Sequence, residues 1–214
     1  PIADAEELTD IWSGLTARIL SFPGYQTLFE SVYPDVSLAD INFSHIANAL
    51  AAYEKAAFTR LDSPFDRYLA GDNHALNAQE KRGAELFFGD AGCAGCHNGP
   101  LLTDQKSYVL GAPQLGPGKG DAAPADEGRY LETKRDADKY AFRTPPLRNV
   151  EVTGPYFHSG AYTNLYDVVV HHLYPEEQMQ HYNAADVLRE DVATTWFNDE
   201  EYVEDCMERL DPRL

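Results

Sequence analysis

Cysteine is scarce. Three in a chain of 214 residues cannot form the dense disulfide framework of a small secreted scaffold. Cys93 and Cys96 share one short motif, whereas Cys206 stands alone in a helical pattern and reads as a small buried hydrophobe. Basic charge is short as well: 17 Lys and Arg against 35 Asp and Glu leave a net charge of −18. A surface of that sign repels nucleic acid and anionic membranes, so neither is expected as a partner. It serves solubility, or it steers a basic protein towards the chain. Long apolar runs are missing too. The longest, Ile46 to Tyr53, is interrupted by polar residues and falls far below the roughly 20 apolar residues of a membrane-spanning helix. Neither a repeat nor a clear alternating strand pattern occurs. Residue 1 is Pro, with no basic and apolar leader behind it, so the chain reads as processed or as part of something longer.

Helical periodicity is present. Leu8, Ile11, Trp12, Leu15 and Ile19 predict a helix over Ala5 to Leu20. Asn42 caps a second pattern carrying Phe43, Ile46, Ala47, Leu50, Tyr53 and Ala57 on one face. Asn77 with Glu80 forms a capping box for a helix that runs to about Phe88. Leu165 to Tyr174 predicts another helix, and Asn198 with Glu201 opens a last one ending near Leu210. Between them lies a stretch, about 101 to 160, rich in Gly and Pro but studded with Tyr130, Tyr140, Phe142, Leu147, Tyr156 and Phe157. A loop of that length in a compact domain is either a linker or a wrapping around something, and its aromatic anchors favour wrapping. The expected organisation is a helical segment over 1–76 packing on a domain over 77–214.

That second domain opens with Cys93-Ala94-Gly95-Cys96-His97. C-x-x-C-H is the attachment pattern of c-type haem: two thiols at this spacing reach both porphyrin vinyl groups, and the adjacent His falls beneath the iron. A dithiol redox site would sit in a βαβ context, which is not visible, and a zinc site would need further Cys or His pairs, of which only Cys206 remains. One covalent haem c, held by Cys93 and Cys96 with His97 on the iron, is the reading.

With the motif in place, its flanks become recognisable. Asp62-Ser63-Pro64-Phe65-Asp66-Arg67-Tyr68-Leu69-Ala70-Gly71, Arg82 to Phe88, Cys93 to Pro100 and Thr103-Asp104 run in order with Phe142-Arg143-Thr144-Pro145-Pro146-Leu147-Arg148-Asn149-Val150 and Thr153-Gly154-Pro155-Tyr156-Phe157-His158-Ser159-Gly160. Together they resemble the bacterial di-haem cytochrome c peroxidases and their MauG-like relatives. The resemblance implies a mostly α-helical, cytochrome c-like haem domain with long irregular loops. Family members carry two haem domains; this chain resembles the second, electron-transfer one with the helical segment before it, and a second C-x-x-C-H is absent. The family places a Met, or in MauG-like relatives a Tyr, as the sixth ligand. Ungapped alignment from Thr153 through Leu165 puts His172 there, so bis-histidine ligation is expected, with Met179 as the alternative. His171 is adjacent but turned about 100° around the helix. The resemblance further implies that His158 supports the haem or its propionates. Arg143 and Arg148 either pair with propionates or brace loops. It also implies a calcium ion to which the carbonyls of Thr153 and Pro155 contribute. The expected partner is a redox protein, a small basic cytochrome or a second haem-bearing domain or subunit, and the expected location is periplasmic or otherwise extracytoplasmic. Three functions follow: an electron-transfer module, one part of a peroxide-reducing enzyme, or a haem-bearing structural subunit of a larger redox complex.

Overall fold

Asparagine decides where three of the longer helices begin. In the computed structural model, which describes residues 8–119, 121, 123–187, 196–197 and 200–213, the Asn42 side chain accepts from the Ser44 amide at 3.0 Å, and His45 Nδ1 accepts from the Asn42 amide at 3.2 Å. The Asn77 side chain accepts from the amides of Gln79 and Glu80, and the Glu80 carboxylate accepts the Asn77 amide at 2.7 Å. Asn164 accepts from the Asp167 amide at 3.0 Å. Each cap satisfies donors that the first turn leaves without an intrahelical acceptor. The elements they open are α3 (Phe43–Phe58), α5 (Ala78–Phe88) and α7 (Leu165–Leu173).

The chain divides into two units, Pro1–Ser63 and Pro64–Leu214. The first holds α1 (Leu8–Leu20), α2 (Pro23–Val32) and α3. Residues 5–7 of the predicted first helix lie outside the described residues. Phe29, Ile41 and Ile46 form its buried centre, ringed by Ile19, Leu20, Tyr33, Val36, Leu38 and Phe43. Trp12 stacks on Phe43 with ring centroids 4.3 Å apart.

The second unit begins with α4 (Pro64–Leu69) and α5, followed by the cysteine motif. The irregular stretch then forms short antiparallel pairs. β1 (Ser107–Tyr108) pairs with β3 (Phe142–Arg143) in the register Ser107↔Arg143, and β2 (Gln114–Leu115) pairs with β4 (Trp196–Phe197). A single helical turn, α6 (Tyr130–Thr133), precedes β3. After α7 come α8 (Pro175–His181), α9 (Ala184–Val187) and α10 (Glu200–Glu208). The last helix thus starts where Glu201 predicts it, while the capping residue Asn198 lies outside the described residues.

Two buried clusters hold this unit. Val109, Tyr140, Ala141, Met179, Tyr202 and Cys206 form one; Ala161, Tyr162, Tyr182 and Ala184 form the other. Both draw on the long loop as much as on helices, so the loop is wound into the core and is no linker. Its backbone is satisfied locally: the Arg129 amide donates to Ala141 O, and the Tyr140 amide to Glu127 O, each at 2.9 Å. Gly111 shows how close the wrapping is. It has φ +64, and a Cβ there would fall 2.1 Å from Met179 Sδ. The architecture is mostly α, with strands of only two residues among the described residues.

Candidate functional site

The cysteine motif sits on a tight reversal. α5 ends at Phe88, Gly92 adopts φ +68, and Cys93–Gly95 make one 3-10 turn. The His97 amide donates to Cys93 O at 2.9 Å, which places the ring directly after the two thiols. Cys93 and Cys96 are unpaired and half-buried. Burial pushes the Cys96 thiol up, and the Arg213 guanidinium opposes it. The chain then folds back over the motif, with the Thr103 amide on Asn98 O and the Asp104 amide on Cys96 O, both at 2.8 Å. Leu102 takes φ +55 in that return, and its carbonyl accepts from His97 Nδ1 at 3.1 Å. The Pro145 carbonyl also bears on the His97 ring. A carbonyl can only accept, so the proton of neutral His97 resides on Nδ1 and the Nε2 lone pair is left for a metal. Burial holds the ring below the usual histidine range, which keeps that lone pair available.

The helix α7 gives its two adjacent histidines opposite fates. His171 is fully buried, with Nε2 2.7 Å from Leu110 O and Nδ1 2.8 Å from the Tyr162 hydroxyl. Leu110 O fixes the proton on Nε2, so Tyr162 donates to Nδ1 and both ring nitrogens are used. Burial pushes its pKa down to about 4. His172 points elsewhere. Its Nδ1 donates to Val168 O at 2.8 Å within its own helix, which again frees Nε2. Burial lowers its pKa, and proximity to His97 lowers it further: the two rings are within electrostatic reach of each other. Phe157 packs its ring 5.5 Å from His172, and Phe87 lies 6.4 Å from His97. Two imidazoles presenting Nε2, flanked by aromatic rings, with two thiols beside one of them, are a donor set that suits a covalent haem.

Other anticipated residues take other places. His158 Nε2 lies 3.0 Å from Asp126 Oδ2 and its ring stacks on Phe142 at 3.9 Å, tying the 153–160 loop to the 111–128 loop. Asp126 is raised by burial, but the Gly128 amide and His158 outweigh that and hold it below the usual carboxylate range. Arg148 grips Asp66 through Nη1 at 3.0 and 3.1 Å and donates from Nε to Pro100 O at 2.7 Å, which is the loop-bracing role. Arg143 is exposed on β3. Thr153 and Pro155 lie on an exposed loop, and among the described residues no cluster of three acidic, His or Cys side chains stands ready for a metal. Met179 is 1% exposed beneath Gly111, and Met207 packs against the same cluster. The carbonyls of Leu102 and Pro145 carry no sequence signal for a place in this site; only the folded chain brings them to it.

A family model described as di-haem cytochrome c peroxidase matches residues 1–74. The chain is 40% identical over 172 residues to a cytochrome c551 peroxidase of Pseudomonas aeruginosa, covering 79% of this chain and 48% of that protein. The chain belongs to the di-haem cytochrome c peroxidase and MauG family. It is also 38% identical over 160 residues to the cytochrome c peroxidase Ccp of Escherichia coli K12, covering 75% and 33% of the two chains. Against the methylamine utilization protein MauG of Methylorubrum extorquens it is 33% identical over 173 residues, covering 81% and 46%. The chain thus spans half or less of the length of these relatives. A solved structure of a MauG-like protein associated with microbial copper homeostasis shares the fold, with a TM-score of 0.57 at 22% identity over 94% of this chain and 64% of that one. Membership in the family brings a haem-based redox function with haem c as cofactor. The family model ends before Cys93, so the attachment motif rests on its own residues.

Proposed function

We propose that this chain is an electron-transfer haem domain of a di-haem cytochrome c peroxidase or MauG-like protein. It would hold one haem c by thioethers to Cys93 and Cys96, with His97 and His172 as axial ligands, and relay electrons to or from a second haem carried elsewhere. When bound, the haem supplies a one-electron iron couple. The protein's part is to present the ligands, close the iron's sixth position and exclude water with Phe87, Phe157 and the loop. The observation that carries the reading is the His97–His172 pair: each ring donates from Nδ1 to a backbone carbonyl, which leaves both Nε2 lone pairs for an iron. A nitrogen pair lowers the iron's reduction potential relative to a His–Met pair.

A second reading keeps the same haem inside a larger enzyme. The relatives named as peroxidases are at least twice as long as the matched part, so a peroxide-cleaving haem would belong to a segment or chain beyond this one. The net charge of −18 favours a small basic cytochrome as partner. Because c-type haem is attached outside the bacterial cytoplasm, a periplasmic or otherwise extracytoplasmic site follows; no helix among the described residues is long and apolar enough to cross a membrane. His158 and Arg143 would support the haem from the loop side. A calcium ion at the carbonyls of Thr153 and Pro155 would need most of its oxygen ligands from another segment.

The test is spectroscopic. The oxidised chain carrying haem should give a paramagnetic resonance spectrum of bis-histidine low-spin iron, without a near-infrared thioether-to-iron band. His172→Ala should convert it to high spin, whereas His171→Gln should not. A thioether band, or a low-spin spectrum unchanged in His172→Ala, overturns the ligand assignment. Rapid peroxide turnover by this chain alone overturns the closed-iron reading.

A further inference from the structure

We infer that Thr103 is a positioning residue that sets the haem potential through His97, by clamping together the two backbone segments whose carbonyls meet that ring. The Thr103 hydroxyl donates to Thr144 O at 2.7 Å, across 41 residues of sequence. Leu102, whose carbonyl accepts from His97 Nδ1, precedes Thr103 at one end of this bond, and Pro145, whose carbonyl bears electrostatically on the ring, follows Thr144 at the other. The clamp is reinforced on both sides. Thr103 Oγ1 accepts the Gln105 amide at 2.9 Å, the Thr144 amide donates to Lys106 O at 2.8 Å, and the Thr144 hydroxyl hydrogen-bonds the Asp104 carboxylate. Thr144 is buried, so its carbonyl depends on a protein donor. Leu102 is held at φ +55, a conformation a leucine keeps only when its surroundings impose it.

The consequence follows from ligand chemistry. A carbonyl that accepts firmly from Nδ1–H shifts electron density towards Nε2 and makes the imidazole a stronger donor. A stronger donor favours the ferric iron and lowers the potential. Loosening the clamp lets both carbonyls drift and should raise the potential without touching the iron ligands.

The inference rests on His97 being an iron ligand. The experiment compares haem-loaded wild-type chain with Thr103→Val, which keeps the shape and drops the hydroxyl, and with Thr103→Ser, which keeps the hydroxyl. Midpoint potential and the exchange rate of the His97 Nδ1–H resonance are read in each. Thr103→Val should move the potential upward and speed the exchange about fivefold, the size of one ordinary hydrogen bond; Thr103→Ser should match the wild type in both. Thr103→Ala takes the place of Thr103→Val if the latter does not load with haem. Equal potentials and exchange rates with histidine ligation intact overturn the clamp. So does a Thr103→Ser shift as large as that of Thr103→Val, which would assign the effect to the methyl group. A wild-type spectrum without histidine ligation overturns the ligand reading instead.

Discussion

His171→Gln separates the two neighbouring histidines by pH. In the wild type, His171 is fully buried and neutral, with Leu110 O holding one ring nitrogen and the Tyr162 hydroxyl the other. Protonation would place a second N–H against a hydroxyl with its own hydrogen aimed at the same nitrogen, in a site shielded from water. Burial, which penalises the charged ring, is the main reason the pKa falls from 6.5 to about 4, and the neighbouring His172 adds repulsion. Between these values the unfolded chain binds more protons than the folded one. Stability from this residue is therefore complete above pH 6.5 and is lost as pH falls towards 4. The loss amounts to about 3 kcal/mol by pH 4. Urea unfolding of the wild type and of His171→Gln at pH 7.5 and pH 4 measures it, because carboxylates common to both proteins cancel in the difference. The Gln variant should be the less stable at pH 7.5, by about 1–3 kcal/mol for imperfect replacement of two buried hydrogen bonds. The gap should close or reverse by pH 4. Parallel pH dependence of the two proteins would refute the buried, doubly bonded His171.

Further outcomes follow from other sites. Gly111→Ala sets a Cβ 2.1 Å from Met179 Sδ at φ +64, and should cost about 2–4 kcal/mol in urea unfolding through strain and overpacking. Arg148→Ala leaves Asp66 without its two-point grip and Pro100 O without its donor, and should lower stability by about 1–3 kcal/mol with the haem spectrum unchanged. Cys93→Ser and Cys96→Ser should each remove one thioether, and the double substitution should yield a denatured chain of unmodified mass.

Some of this was written in the sequence because the physics is local. The caps at Asn42 and Asn77, the helical periodicity behind α1, α3, α5 and α7, and the C-x-x-C-H spacing all act within a few residues, so composition and order suffice to read them. The family resemblance singled out His172, as the residue that an ungapped alignment from Thr153 through Leu165 sets at the family's sixth-ligand position. Tertiary structure alone decided the rest. That Met179 is sealed under Gly111 and that Arg148 reaches back to Asp66 depends on chain segments far apart in order. So does the use of both His171 nitrogens by Leu110 and Tyr162, while its neighbour bonds through Nδ1 to Val168 O. The acceptor on His97 is the backbone carbonyl of Leu102, a group every residue has; no residue type announces it, and only the wrapped loop brings it to the ring.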